Sequence, residues 1–390
     1  MKRKYFLVAL LLVSTLVFLS CDNKALLIDT DLARISDGVA VNCEPFPDKA
    51  SRCLVFTQPW NEQIRIYDLG VNALIPSPTG IFPLAVKVGK YTTIVRSHPQ
   101  LNFSYALDSV EGKLFVTSNV HSSSAQSFSA PMVINTAQGA SDFVFVESDN
   151  FPPVAVLAIP GRQMLSRIVI DPVSGLQDST LSMPDVLLSF MPQQLALSAD
   201  HKSVVISNAQ GSFIGILKAG AQKATLIDIG GPSIKIAAGN MDLGAGPENF
   251  AIILRIDKAE AVVVSLDHEK VIKRFQLSQA PTQIYIPNPS TANFKDSSAW
   301  AIVISAYSQL SYLSLRNLYT VSDDELNSPS YVSSTDLADV KSLGARASLA
   351  SAIIPGLDNG GARECYIIFE TGVIAKFIEG QSEVKKISAD

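Results

Sequence analysis

Apolar residues fall into two unlike patterns along this chain. The first is one uncharged, almost wholly apolar run, residues 5–19 (YFLVALLLVSTLVFL), directly after Lys2-Arg3-Lys4. The second begins after residue 45. It is a long succession of short runs rich in Val, Ile, Phe and Tyr, separated by Gly, Pro, Asn, Asp and Ser. Short β-branched and aromatic runs bounded by turn-formers predict strands. Examples are Ile64–Leu69, Lys113–Thr117, Ser203–Ser207, Ala261–Leu266, Trp300–Ser305 and Cys365–Glu370. Turn segments such as Asp257-Lys258-Ala259-Glu260 and Glu370-Thr371-Gly372 are too short for parallel crossovers, so neighbours should be antiparallel. No long helical period interrupts the pattern. The fold class predicted is all-β, and a doubly wound or TIM-type sheet is excluded.

One stretch carries a repeat. Pro192-Gln193-Gln194-Leu195-Ala196-Leu197-Ser198-Ala199-Asp200-His201-Lys202 leads into Ser203-Val204-Val205-Ile206-Ser207-Asn208. It resembles the YVTN-type repeat of bacterial β-propellers, also found in lactonase-like propellers, with His201 in place of the usual Gly. Glu111–Asn119 reads as a second partial copy, and Gly231-Pro232 and Ala280-Pro281 as openings of further inner strands. The resemblance implies four-stranded antiparallel blades. At about 45 residues per blade, residues 53–390 hold about seven, with six left open. Propellers of this kind commonly close by lending an N-terminal strand to the last blade. Residues 22–42 or 53–57 are expected to supply it to the hairpin at 365–388.

The N-terminal run is shorter than the ~20 residues of a spanning helix and has the basic flank and small-residue boundary of a secretory signal. Phe18-Leu19-Ser20-Cys21 resembles the lipobox of bacterial lipoproteins, with Phe18 in place of the usual Leu. That resemblance implies cleavage before Cys21, a diacylglycerol thioether on its sulfur and a further acyl chain, such as palmitate, on its amine. Two or three chains make membrane attachment effectively permanent. The expected organisation is a cleaved signal peptide at 1–20, a lipidated lead-in at 21–52 and a β-propeller at 53–390. The expected address is the bacterial cell envelope, outside the cytoplasm and periplasmic in character. Asp22 resembles an inner-membrane retention signal of enteric bacteria that other groups do not follow, so inner and outer membrane stay open.

Charge narrows the partners. Removing Lys2, Arg3 and Lys4 with the signal takes the formal charge from −5 to −8. Without a Lys/Arg cluster, this excludes a nucleic-acid partner. In an oxidising compartment Cys43 and Cys53, ten apart around Glu44-Pro45-Phe46-Pro47-Asp48, are predicted to pair. Cys53–Cys365 is the competing pairing, and otherwise Cys365 is a buried thiol.

Candidate chemistry is sparse. His-Glu-x-x-His, Cys-x-x-Cys, Gly-x-Ser-x-Gly and phosphate-loop motifs are absent, and Gly244-Ala245-Gly246-Pro247 reads as a turn. His201 and His268 fall in predicted turns, as exposed residues. His98 and His121 follow strand ends and lack a second ligand at a defined spacing. Asp29, Asp31 and Asp37-Gly38 match a calcium loop poorly because Leu32, Ala33 and Ile35 interrupt it. Asp323-Asp324-Glu325 lies in a polar insertion, 319–348, which is the best local candidate for a partner contact. Trp60 and Trp300 are candidate interface anchors, with core packing favoured for Trp300. Tyr105, Tyr285 and Tyr307 would support glycan binding if they shared a face. The expectation is therefore no catalytic residue, no metal and no cofactor. The predicted role is a membrane-tethered propeller that scaffolds a protein partner. A lactonase-like hydrolase and a carbohydrate or small-ligand binder are the alternatives.

Overall fold

The computed structural model describes residues 32, 34–43, 52–76, 83–98, 101–119, 131–148, 151–255, 257–286, 300–306, 308–337, 343, 349–356, 364–378 and 385–387. Cys21, Asp29, Asp31, His121 and Tyr307 lie outside them.

The strands form seven antiparallel sheets, each built from strands consecutive in the chain. Blade one comprises β1 (Asp37–Asn42), β2 (Arg52–Gln58) and β3 (Gln63–Asp68), with an outer edge split into β4 (Ala73–Leu74) and β5 (Val86–Lys87). Blade two holds β6 (Thr92–Ser97), β7 (Phe103–Asp108), β8 (Lys113–Ser118) and β9 (Met132–Asn135). Blade three holds β10 (Asp142–Ser148), β11 (Phe151–Ile159), β12 (Met164–Val169) and β13 (Val186–Leu187). Blade four holds β14 (Pro192–Leu197), β15 (Ser203–Asn208), β16 (Phe213–Lys218) and β17 (Thr225–Asp228). Blade five holds β18 (Ser233–Asp242), β19 (Pro247–Arg255), β20 (Glu260–Ser265) and β21 (Lys270–Gln276). Blade six holds β22 (Pro281–Tyr285), β23 (Trp300–Ser305), β24 (Gln309–Ser314) and β25 (Val332–Asp336). Blade seven holds β26 (Ala350–Pro355), β27 (Glu364–Phe369), β28 (Ile374–Ile378) and β29 (Lys385–Lys386). β1 packs against both β6 and β26, so the blades close into a ring. The protein is a seven-bladed β-propeller.

The second strand of each blade is covered on both faces by its neighbours. That is why β23 and β27 are buried at every position and read as continuous apolar runs rather than alternations. Outer strands are partly solvated, and β25 (VSSTD) is exposed at four of its five positions. Seven apolar clusters fill the seven seams between adjacent blades.

Ring closure differs from the expected strand exchange. β1 is the innermost strand of blade one and pairs with β2, Val41 opposite Cys53, so residues assigned above to the lead-in belong to the ring. The seam between blades seven and one is closed instead by side-chain packing and a few hydrogen bonds outside any strand ladder. Leu32, Ile35, Leu54 and Phe56 pack on Ile354, Tyr366, Ile368 and Ile374. Arg34 donates its N–H to the Glu370 carbonyl (3.1 Å), and the Tyr67 hydroxyl donates to the Ile387 carbonyl (2.9 Å). At the heart of the seam is Glu364, only 5% exposed. It accepts from Arg52 Nη1 across the junction (2.9 Å), from the Tyr366 hydroxyl (2.5 Å) and from Lys376 Nζ.

The Cys43–Cys53 disulfide is present and ties the end of β1 to β2, while Cys365 is a buried free thiol. Pro192–Asn208 forms the β14–β15 hairpin, whereas Glu111–Asn119 is a turn followed by the third strand of blade two. These two segments are therefore not equivalent positions of one repeat. Part of the 319–348 insertion is structured, as β25 and a single helical turn, α1 (Asp323–Leu326). Among the described residues no helix is long and apolar enough to cross a membrane.

All seven inner strands run the same way along the channel. We call the end at which they start the entry face and the end at which they finish the exit face.

Candidate functional site: the central channel and exit face

The channel is built around a twice-used dipeptide. Ser36-Asp37 opens the inner strand of blade one, and Ser141-Asp142 opens that of blade three. Each serine hydroxyl donates to a carbonyl of the next blade, Ser36 to Thr93 (2.9 Å) and Ser141 to Gln193 (2.6 Å). Each aspartate Oδ2 accepts a main-chain N–H two residues further on, from Val95 (3.2 Å) and Leu195 (2.9 Å). The receiving strands β6 and β14 are the innermost, edge strands of their blades, and each carries a bulge just ahead of that residue.

Arg96 spans the two clasps, bonding Asp37 through Nη1 and Asp142 Oδ1 through Nη2 (3.2 Å). Burial disfavours the Arg96 cation, but the two carboxylates outweigh it and its pKa is raised. Burial also pushes the Asp142 carboxyl above the usual carboxylate range, against the pull of Arg96 and the Leu195 N–H. With its amide oriented to satisfy both atoms, Gln194 donates to the Ile234 carbonyl (2.9 Å) and accepts from Lys235 Nζ (3.0 Å), and Gln283 donates to the Ser351 carbonyl (3.1 Å). These side chains line a cavity of about 370 Å³ to which all seven blades contribute. Its polar belt of Asp37, Arg96, Asp142, Gln194, Lys235 and Gln283 is committed to blade-to-blade contacts.

A second polar track crosses the exit face. His98, at the end of β6, is buried, and its Nε2 lies 3.3 Å from Glu147 Oε1 in blade three. His201 Nδ1, in blade four, lies 2.9 Å from the same oxygen. Burial lowers the His98 pKa, Glu147 opposes that, and His201 reinforces it. The His98 ring sits edge-on to Phe145. Glu147, Asp200, Lys202, Lys218, Asn249 and Asp267 then line a groove of about 430 Å³ over blades three to five. Asn249 donates its main-chain N–H to Asp267 Oδ2 (2.8 Å) and its amide to Asp267 Oδ1 (3.2 Å).

The sequence-nominated residues distribute differently from expectation. His201 is a turn residue with φ +57°, but it contacts Glu147 instead of standing free, while His268 is exposed. Asp37 belongs to the clasp. Asp323 opens α1, whose N-cap Ser322 accepts from the Glu325 N–H (3.2 Å), and it pairs with Lys273 (2.8 Å). Trp300 is buried in a blade seam among Tyr285, Tyr312 and Phe377. Trp60 is 76% exposed, with the Arg34 guanidinium 4.5 Å above its ring. Tyr105 and Tyr285 are buried and donate to the Gly175 and Glu364 carbonyls, so they form no aromatic binding face. Among the described residues no group of three or more His, Cys, Asp or Glu is arranged to hold a metal ion. The clasps were overlooked in sequence, although Ser36-Asp37-Gly38-Val39-Ala40-Val41 and Ser141-Asp142-Phe143-Val144-Phe145-Val146 share the pattern Ser-Asp-x-Val-x-Val.

No protein-family model matches the chain, and no curated protein sequence matches it. Solved structures do. The chain is similar to the BBS1N domain crystallised in complex with ARL6DN, at 9% identity and TM-score 0.59, covering 90% of this chain and 96% of that one. It is similar to the hydrazine synthase of Kuenenia stuttgartiensis at 11% identity and TM-score 0.56, covering 90% and 97%. Similarity to Hsv2 of Kluyveromyces lactis is 13% identity and TM-score 0.52, covering 88% and 93%. At these identities the likeness is one of fold.

Proposed function

We propose that this protein is a lipid-anchored cell-envelope scaffold, held through Cys21, whose propeller binds a protein partner on its exit face. The observation that carries the reading is the state of the channel. The polar side chains that converge there hold neighbouring blades together, so the inner ring works as a rigid frame with its groups already engaged. A rigid frame with a charged groove at one end suits presentation of a surface. One structural neighbour is a propeller crystallised in complex with another protein, which supports the reading. Another is part of an enzyme, which is why fold alone does not decide. The groove over blades three to five alternates sign, with Glu147, Asp200 and Asp267 beside Lys202 and Lys218. That pattern favours oriented, charge-complementary docking.

The test is site-specific photocrosslinking in cells. A crosslinker placed at Lys218 or Asn249 should capture one defined envelope protein, and capture should be lost in Asp200→Lys/Asp267→Lys. Equal capture from outer-edge position Leu226 would refute docking at the groove. A second reading, small-ligand binding, is favoured by the 370 Å³ of the central cavity. Thermal shift of the protein against a glycan and lactone panel reads it directly.

A further inference from the structure

Large exposed apolar side chains are unevenly placed on the two faces. On the entry face, Leu349 precedes the inner strand of blade seven. Trp60 sits in the β2–β3 turn of blade one, Tyr91 precedes the inner strand of blade two, and Val110 is in its β7–β8 turn. These four occupy three consecutive blades and are connected through contacts. The Leu349 carbonyl accepts from the Glu370 N–H (2.9 Å), the Glu370 carbonyl accepts from the Arg34 N–H (3.1 Å), and Arg34 stacks over Trp60. Ser36 links onward to Thr93, beside Tyr91, and Asp108 accepts from the N–H groups of both Tyr91 (3.3 Å) and Val110 (3.0 Å). On the exit face the comparable residues are all aliphatic, Val71 in blade one and Val173 and Leu181 in the β12–β13 connection of blade three, two blades away.

The composition of the arc identifies its occupant. Trp and Tyr with adjoining cations, Arg34 over Trp60 and Lys90 over Tyr91, are the side chains that settle at the headgroup level of a bilayer. The charges along the arc balance, Arg34, Lys90 and Lys113 against Glu62, Glu111 and Glu370, so attraction by anionic lipid is not the driving term. The chain also enters the ring on this face, at Leu32, and ten residues lie between Cys21 and Leu32. Such a segment reaches at most about 40 Å.

We infer that the entry face of blades seven, one and two rests on the membrane that carries the anchor, with Trp60 in the lipid interface. This rests on the lipoprotein reading of Cys21. It goes beyond that reading by fixing the orientation of the ring. The exit-face groove points away from the bilayer.

Trp60 is its own reporter, because the chain has two tryptophans and the other, Trp300, is buried. The full-length lipoprotein is reconstituted in phosphatidylcholine vesicles with or without brominated acyl chains, and its Cys21 acylation is read by mass spectrometry. The expected result is a blue shift and bromine-dependent loss of emission that persists in 1 M salt and disappears in Trp60→Phe. Acylated protein that floats with vesicles but shows no bromine-dependent loss overturns the orientation and leaves the lipoprotein reading standing. If Cys21 carries no lipid, the anchor reading falls by itself. The orientation is then read from the Cys21→Ser chain, tethered by an N-terminal hexahistidine to nickel-chelating vesicles. Quenching there supports the inference and its absence overturns it.

Discussion

Glu364→Ala is predicted to open the ring at one seam. Glu364 is nearly fully buried and holds three donors, from Arg52 in blade one and from Tyr366 and Lys376 in blade seven. Removing its carboxylate leaves the buried Tyr366 hydroxyl without an acceptor, which costs about 1–2 kcal/mol. Severing a fully buried ion pair costs about 3–5 kcal/mol. Here the cations keep 21% and 27% of their surface, so each rehydrates and its share falls toward the ~0.5–1 kcal/mol of an exposed pair. The total is about 3 kcal/mol. Urea unfolding in a Trp60→Phe background, followed by Trp300 fluorescence, reads it, since that ring sits in the adjoining seam against Phe377. The midpoint should fall with an unchanged slope. Glu364→Gln, which keeps an acceptor for Tyr366 and removes only the charge, should fall by less. Glu111→Ala, which breaks a solvent-exposed pair with Lys113, should leave the midpoint unmoved. A Glu364→Ala midpoint matching that of Glu111→Ala would refute the argument and leave closure to apolar packing and the Arg34–Glu370 and Tyr67–Ile387 hydrogen bonds.

Four further outcomes are expected. Cys43→Ser/Cys53→Ser should lose about 2–3 kcal/mol from its ten-residue loop, with hydrogen exchange of residues 37–42 rising ahead of the other inner strands; unchanged exchange there would contradict a stapling role. Arg96→Met should destabilise by about 3 kcal/mol, because two carboxylates lose their shared cation, and Asp37→Asn in the same chain should recover part of it, read by urea midpoint. His98, with a pKa held below its ordinary 6.5 by burial, resists protonation in the folded state. Below pH 6.5 the unfolded chain takes up a proton that the fold refuses, so stability should fall on acidification and fall less steeply in His98→Phe, as measured by denaturation across pH 5–8. Cys365 is fully buried and its thiol is pushed up by burial, so it should react with iodoacetamide only after unfolding; labelling of native protein would contradict that placement.

The blade pattern was legible because burial on two faces writes itself into composition. Ala261-Val262-Val263-Val264 and Trp300-Ala301-Ile302-Val303-Ile304 have no polar position to spare, since each lies between two apolar seams. The disulfide was legible from the spacing of Cys43 and Cys53 and the expectation of an oxidising compartment. Three outer strands were not: β9, β13 and β25 are short and partly solvated, so Val332-Ser333-Ser334-Thr335-Asp336 reads as loop. β1 was hidden for another reason. Its Gly38 and Asp37 look like turn residues. Yet a Cβ at Gly38 would lie 2.2 Å from Ile354 Cδ1, so close packing against blade seven favours glycine there. The site lay further from view because a clasp is a relation between blades. Ser-Asp at 36–37 and 141–142 acquires meaning only when Thr93, Val95, Gln193 and Leu195 arrive beside it. Likewise His98, Glu147 and His201 come from three different blades, and no local spacing announces them.

Closure without strand exchange has a topological consequence. The seventh seam is of the same kind as the other six, so the chain is a row of seven modules whose two end surfaces fit each other. Such complementary ends form a heterologous contact, which closes within one molecule or runs head to tail between molecules. Closure within one chain wins while its effective concentration, on the order of millimolar for a short tether, exceeds that of neighbouring copies. Local crowding of copies, as the proposed lipid anchor would produce, narrows that margin. A weakened Glu364 seam would therefore convert a monomeric ring into linked, exchanged assemblies before it unfolded any single blade.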